Sequence, residues 1–285
     1  MTHGSFRASP SDPHVAAREV LLGGGTRLPG PDVSHTQDHG PAESDTLHRE
    51  VSEQLWHRGL AAVQLDAPLA HDRFLALGDY LGTAIPETDP AVLHYVEDGI
   101  VLNLRSEHAP TADMSLQPFA RNPLSLHSES SGTALAKQPR YIVLMCVDPG
   151  DDAEHAVTVL VPMQEVARRL APRTLELLSH TRYRDRPEVP PIARRVDGHW
   201  VLSFRDFLGQ ELQWTHSGDD TDAESVNAAL RELLTAMYEP EQAAGVRWRR
   251  GLLVVIDNTY YLHGRTAGPV APPRRQRHLK RLRIR

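Results

Sequence analysis

The run Leu252-Leu253-Val254-Val255-Ile256, stopped by Asp257-Asn258, constrains the fold more than any other segment of this chain. Five consecutive apolar residues, three of them β-branched, ending in turn formers, specify a buried strand. His263 lies just past the exit of that strand. Further short strand-like segments fall at 61–65, 100–104, 140–147 and 200–202, and helical periodicity at 44–56, 71–81, 162–170 and 223–238. Short strands broken by Pro/Gly turns argue against a doubly wound sheet. They predict a mainly β fold with flanking helices, a double-stranded β-helix of the jelly-roll or cupin-like kind, in which strands distant in sequence meet.

The 285 residues, 40% hydrophobic and 24% charged, suit one domain over 45–285. Residues 1–44, rich in Gly, Pro, Ser, His and Asp, predict a flexible tail, with 15–22 forming at most a short docked helix. The spacing of His3, His14, His35 and His39 fits no metal site. Single Cys146, in an apolar run, excludes an internal disulfide. No 18-residue apolar stretch and no signal-like N-terminus is present, so no membrane partner and a cytoplasmic location are expected. The basic run 274–285 interleaves Leu279, Leu282 and Ile284, the pattern of a packed terminal strand. With a net charge of −6 it gives no expectation of a nucleic-acid partner.

Composition alone predicts about two His-x-acid triplets from 16 His and 37 Asp plus Glu, and the chain has two. His48-Arg49-Glu50 sits in a polar helical stretch, where residues two apart do not share a face. His127-Ser128-Glu129 precedes a strand, and in extended chain both side chains point one way. Two imidazoles and a carboxylate, His127, Glu129 and His263, form the set that holds Fe(II) while leaving positions open. Arg277, fourteen residues past His263, offers a fork for a co-substrate carboxylate.

The chain resembles clavaminate synthase-like members of the taurine dioxygenase superfamily of Fe(II)- and 2-oxoglutarate-dependent oxygenases. The resemblance rests on His127-x-Glu129, Thr158 after the next strand, Asp257-Asn258, then His263-Gly264-Arg265-Thr266, and Arg277, and spans about 45–285. It departs in lacking the usual Phe after the second His, where Ala267-Gly268-Pro269 stand. The resemblance implies that His127, Glu129 and His263 bind iron and act catalytically, that Arg277 and Thr158 bind 2-oxoglutarate, and that O2 is the second co-substrate. With Glu129 in place, hydroxylation or desaturation of an unactivated C–H bond is implied over halogenation. The substrate implied is a small polar molecule, an amino acid or a derivative of one in specialised-metabolite biosynthesis, free or carrier-bound.

Other residues carry two readings each. Arg281, four beyond Arg277, helps hold 2-oxoglutarate or a substrate carboxylate, or makes an ordinary salt bridge. Arg205 and Asp206, after the strand-like 200–202, contact substrate or form a strand-end ion pair. The loop 105–121 suits a lid or any surface loop. Asp257 and Asn258 fix the turn and orient the ligand strand, and Arg265 supports the site from behind. A zinc hydrolase on the same triad stays open, but gives Arg277 no role. So does a non-catalytic binding module on an oxygenase fold.

Overall fold

The computed structural model describes residues 1–36, 41–111, 113, 115–151, 154–184, 186–218, 221–239, 241, 243–269 and 274–285. Among them the chain runs β1 (Thr2–Phe6), α1 (Pro13–Leu22), β2 (Ser34–His35), α2 (Pro41–Arg58), β3 (Leu60–Gln64), α3 (His71–Leu81), β4 (Val96–Glu97), β5 (Val101–Arg105), β6 (Leu124–His127), β7 (Tyr141–Asp148) and β8 (Thr158–Pro162). It continues through α4 (Met163–Arg169), α5 (Pro172–Ser179), β9 (Thr181–Tyr183), β10 (Ala193–Val196), β11 (His199–Leu202), β12 (Leu212–His216), α6 (Ala223–Met237), β13 (Ala244–Val246), β14 (Leu252–Asp257), β15 (Tyr261–Arg265) and β16 (His278–Ile284).

Two sheets form the core: β2-β3-β14-β7-β16-β5-β4, and β13-β8-β15-β6. The apolar run at 252–256 is β14, an interior strand of the larger sheet between β3 and β7. Its side chains alternate strictly. Leu252, Val254 and Ile256 face the interior between the sheets with Ile142, Leu144, Leu160 and Leu279. Leu253 and Val255 face the other way, against Leu47, Val51 and Leu55 of α2 and Phe74 and Leu77 of α3. Burial on both faces is why the run has no polar alternation. The outer face of the smaller sheet, through Leu126, Val159, Val161 and Leu262, is covered by α1, α4, α5 and α6. Helix α6 shows how the sequence achieves this. Asp222 caps its N-terminus on Ser225 N at 2.6 Å, and Val226, Ala229, Leu230, Leu233, Leu234 and Met237 make one apolar stripe.

The basic C-terminal run is a packed strand: β16 lies between β7 and β5, with Leu282 and Ile284 in the core. The tail expected at 1–44 is corrected over its described part. Strand β1 pairs with β12, and Phe6, Leu21, Leu22 and Leu28 are buried in the α6-side core. Residues 37–40, within the same expectation, lie outside the described residues. Polar composition misled because a few anchors, spaced among Gly, Ser and Pro, bury enough apolar surface to hold the segment. Among the described residues no helix is long and apolar enough to cross a membrane.

Candidate metal centre

The antiparallel register of β15 on β6 sets His263 directly opposite His127. Residues 136 apart in sequence thus become cross-strand neighbours, with ring centroids 4.2 Å apart. Gly264 allows the approach, since a Cβ there would lie 2.7 Å from the Leu124 carbonyl oxygen. Glu129, two residues past His127 on the same side, brings Oε2 to 3.7 Å from His127 Nε2 and 3.6 Å from His263 Nε2. These separations are too long for hydrogen bonds. The three ligand atoms lie within 4.8 Å of one another, so one cation can be reached by all of them.

Each member is held in the state a metal requires. His127 Nδ1–H donates to the Ser125 carbonyl at 2.8 Å, which leaves the Nε2 lone pair free. Burial, reinforced by the neighbouring His127, lowers the pKa of His263 to about 4, so its ring is neutral at pH 7. Burial of Glu129 works against ionisation, but the charge of Arg281 outweighs it and holds the carboxyl well below the ordinary carboxylate range. Asn258 clamps the Glu129 backbone, accepting from its N–H at 2.7 Å and donating to its carbonyl at 3.2 Å. Asp257 receives Arg140 at 2.7 Å and closes the turn on Thr259 N at 2.8 Å. Asp257 thus fixes the turn before β15, as the sequence predicts, while Asn258 holds the backbone of Glu129.

The triad opens onto a cavity of about 220 Å³ whose lining also includes Thr158, Arg205, Arg265, Arg277 and Arg281. Leu104, Ile142, Leu144 and Leu279 of the larger sheet form its apolar wall. Arg277 is 7% exposed, donates to the Ala156 carbonyl at 2.8 Å, and keeps Nε buried without a partner. Burial lowers its pKa to about 10, while the Cys146 thiol beside it, pushed up to about 12 by burial, supplies no anion at pH 7. A buried cation in that condition is costly unless an anion joins it. Thr158 Oγ1 accepts from Trp248 Nε1 at 3.1 Å, so its O–H remains to donate.

The other arginines differ from one another. Arg265 donates to the carbonyls of Pro118, Gln117, Ala120 and Asn122 at 2.6–2.9 Å and pins that end of the 105–121 loop over the cavity. Residues 112 and 114 of that loop lie outside the described residues. Arg281 meets Glu87 at 2.8 Å and Glu129 at 3.5 Å, and Arg283 meets the same two carboxylates at 2.8 and 3.7 Å. Glu87 and Arg283 were not singled out from sequence. Arg283, two residues past Arg281 on one strand face, carried a periodic signal, whereas nothing local marks Glu87.

Of the two readings given for Arg205 and Asp206, the strand-end ion pair is not formed, and Asp206 is corrected as a substrate contact, since it lines neither this cavity nor the one adjoining it. Adjacent residues of extended chain point to opposite sides. Arg205 forms an isolated bridge with His127 and lines the cavity. Asp206 is 1% exposed and turned into the core, where it binds Arg18 and Tyr238 Oη at 2.7 Å each.

The profile of the taurine catabolism dioxygenase TauD, TfdA family matches residues 29–283. No curated protein matches the chain in sequence. Among solved structures, PvcB from Pseudomonas aeruginosa aligns with 23% identity over 90% of this chain and 86% of its own, TM-score 0.61. Asparagine oxygenase in complex with Fe(II), 2S,3S-3-hydroxyasparagine and succinate aligns with 17% identity over 98% and 93%, TM-score 0.61. The non-haem iron oxygenase OrfP in complex with Fe, succinate and (3S)-hydroxy-L-Arg aligns with 14% identity over 90% and 94%, TM-score 0.62.

Proposed function

The chain belongs to the taurine catabolism dioxygenase TauD, TfdA family, and from that premise we propose that it is an Fe(II)- and 2-oxoglutarate-dependent oxygenase. In this reading it hydroxylates or desaturates an unactivated C–H bond of a small polar substrate, an amino acid or a relative of one. The observation that carries the reading is the meeting of His127, His263 and Glu129 beside the buried guanidinium of Arg277, which among the described residues has a carbonyl acceptor but no carboxylate. Two neutral imidazoles and a carboxylate are the donors that suit ferrous iron with positions left open. When bound, iron supplies the redox centre at which O2 and 2-oxoglutarate yield succinate, carbon dioxide and the oxidising equivalent taken up by the substrate.

The protein's own part is positioning. Arg277 grips the distal carboxylate of 2-oxoglutarate through parallel N–H donors, and the Thr158 hydroxyl donates to the same group. The apolar wall excludes water from the reacting end. Asn258 and the Ser125 carbonyl hold Glu129 and His127 in their orientations. A buried cation awaiting a carboxylate favours this reading over a zinc hydrolase, which has no use for one.

Wild-type protein is expected to bind one Fe(II) per chain under anaerobic conditions and, with oxygen, to convert 2-oxoglutarate slowly to succinate without substrate. His127→Ala and His263→Ala should each lose iron affinity by at least about 10- to 100-fold. Retention of wild-type affinity and succinate yield in both variants would sink the assignment.

A further inference from the structure

Four arginines line the cavity beside the triad, and three are accounted for. Arg265 is bonded to four carbonyls. Arg281 faces Glu87 and Glu129. Arg277 takes the co-substrate in the reading above. Arg205 has no such partner. Among the described residues no carboxylate makes an ion pair with it, its Nε is buried without a hydrogen bond, and its guanidinium lies 5.7 Å from the ring of Phe207.

Arg205 also stands where the triad's cavity meets a second one of about 480 Å³: His127, Ser130 and Arg205 line both. That size suits a small-molecule site. The charged lining of the second cavity, among the described residues, is Arg184, Arg186 and Arg205 against Glu211 alone. Arg184 donates to Gln213 and to the Gly4 carbonyl, and Arg186 to the Gly132 carbonyl, and among the described residues none of the three arginines makes an ion pair with an acid. A space whose described lining carries three guanidiniums and one carboxylate, opening beside His127, suits an anion.

We infer that the second cavity receives the primary substrate, and that this substrate is a small, net anionic carboxylic acid whose carboxylate seats on Arg205. The inference rests on the oxygenase reading, which places the reacting carbon beside the triad. A guanidinium fork matches a planar carboxylate through two parallel hydrogen bonds and offers nothing comparable to an amide. Phe207 backs the cation with its ring face. An analogue lacking the carboxylate leaves a half-buried charge unpaired, which is the strongest basis for rejection such a site has.

The test is calorimetric titration of the iron-free full chain with matched compounds: L-glutamate, L-aspartate and N-acetyl-L-glutamate, their side-chain amides, and L-arginine. At least one acid should bind about 30-fold or more tighter than its amide and than L-arginine. Arg205→Met should abolish that preference, and Arg205→Lys should keep part of it as a point charge, with circular dichroism showing which variants are folded. The inference is overturned if no acid binds wild type better than its amide, if L-arginine binds best, or if the preference survives in Arg205→Lys and Arg205→Met alike. Iron-dependent succinate formation by wild type is measured separately. If it occurs without any acid preference, the substrate class is wrong and the oxygenase reading stands. Acid preference without succinate formation removes the oxygenase reading instead.

Discussion

Arg277 is a full positive charge placed where water barely reaches, with one carbonyl bond and no carboxylate among the described residues. Its role is best measured by removing the fork and keeping the bulk. Arg277→Leu should raise the apparent dissociation constant for 2-oxoglutarate by roughly 30- to 5000-fold, the equivalent of about 2–5 kcal/mol for a desolvated charge pair. Lys at this position should recover only part of that, and Fe(II) affinity should change little in either variant. Unchanged 2-oxoglutarate affinity in Arg277→Leu would move the anchor elsewhere in the cavity. That His127, Glu129 and His263 meet beside Arg277 was legible from sequence because few side chains suit such a site and their spacing resembles a known family pattern. Asp206 fits neither of its two readings, substrate contact or partner of Arg205, because extended backbone sends neighbours to opposite faces. Glu87 carried no signal, since its partners lie on a strand some 190 residues away.

Between residue and molecule stand elements whose ends decide what the site can do. Strands β14 and β15 were readable as one unit, an apolar run, a turn and a ligand, because both faces of β14 are buried and its turn uses Asp257 and Asn258. Strands β1 and β9 were not, being short and carrying polar residues such as His3, Ser5 and Arg182 among few apolar ones. The loop before β6 was legible only as a loop, and its restraint depends on Arg265. Burial lowers the Arg265 pKa to about 9, so at pH 7 the group is still charged and its four carbonyl acceptors offset the loss of water. Arg265→Met leaves those acceptors unmet, and should lower stability by about 2–4 kcal/mol in urea unfolding. It should also make the 105–121 segment the first site of limited proteolysis. Wild-type stability together with an unchanged cleavage pattern would show that the loop is anchored by other contacts.

At the scale of the whole molecule, the N-terminal segment extends the α6-side core instead of trailing from it. Composition concealed this, because one strand and one helix with few apolar anchors look like a linker until their partners are known. The segment also buries an ionisable group. His14, on α1, is fully buried with neither ring nitrogen hydrogen-bonded among the described residues, and Asp12, Arg18, Asp206 and Arg231 surround it. Burial lowers its pKa below 6.5, with Arg18 and Arg231 adding to the effect and the two aspartates opposing it. In the unfolded chain the same ring takes a proton near its ordinary value, about 6.5. Below that pH the unfolded state therefore binds a proton that the folded state resists. The neutral ring's contribution to stability is fully present above pH 6.5 and is lost as pH falls toward the lower folded value. The loss can reach about 1.4 kcal/mol per pH unit across that window. His14→Leu, close in size and without a titrating group, should leave stability at pH 8 within about 1.5 kcal/mol of wild type. It should make the decline between pH 6.5 and 5 shallower in paired urea titrations. Parallel declines in the two proteins would mean that His14 is protonated as easily in the fold as in the unfolded chain, and that the acid sensitivity belongs to other groups.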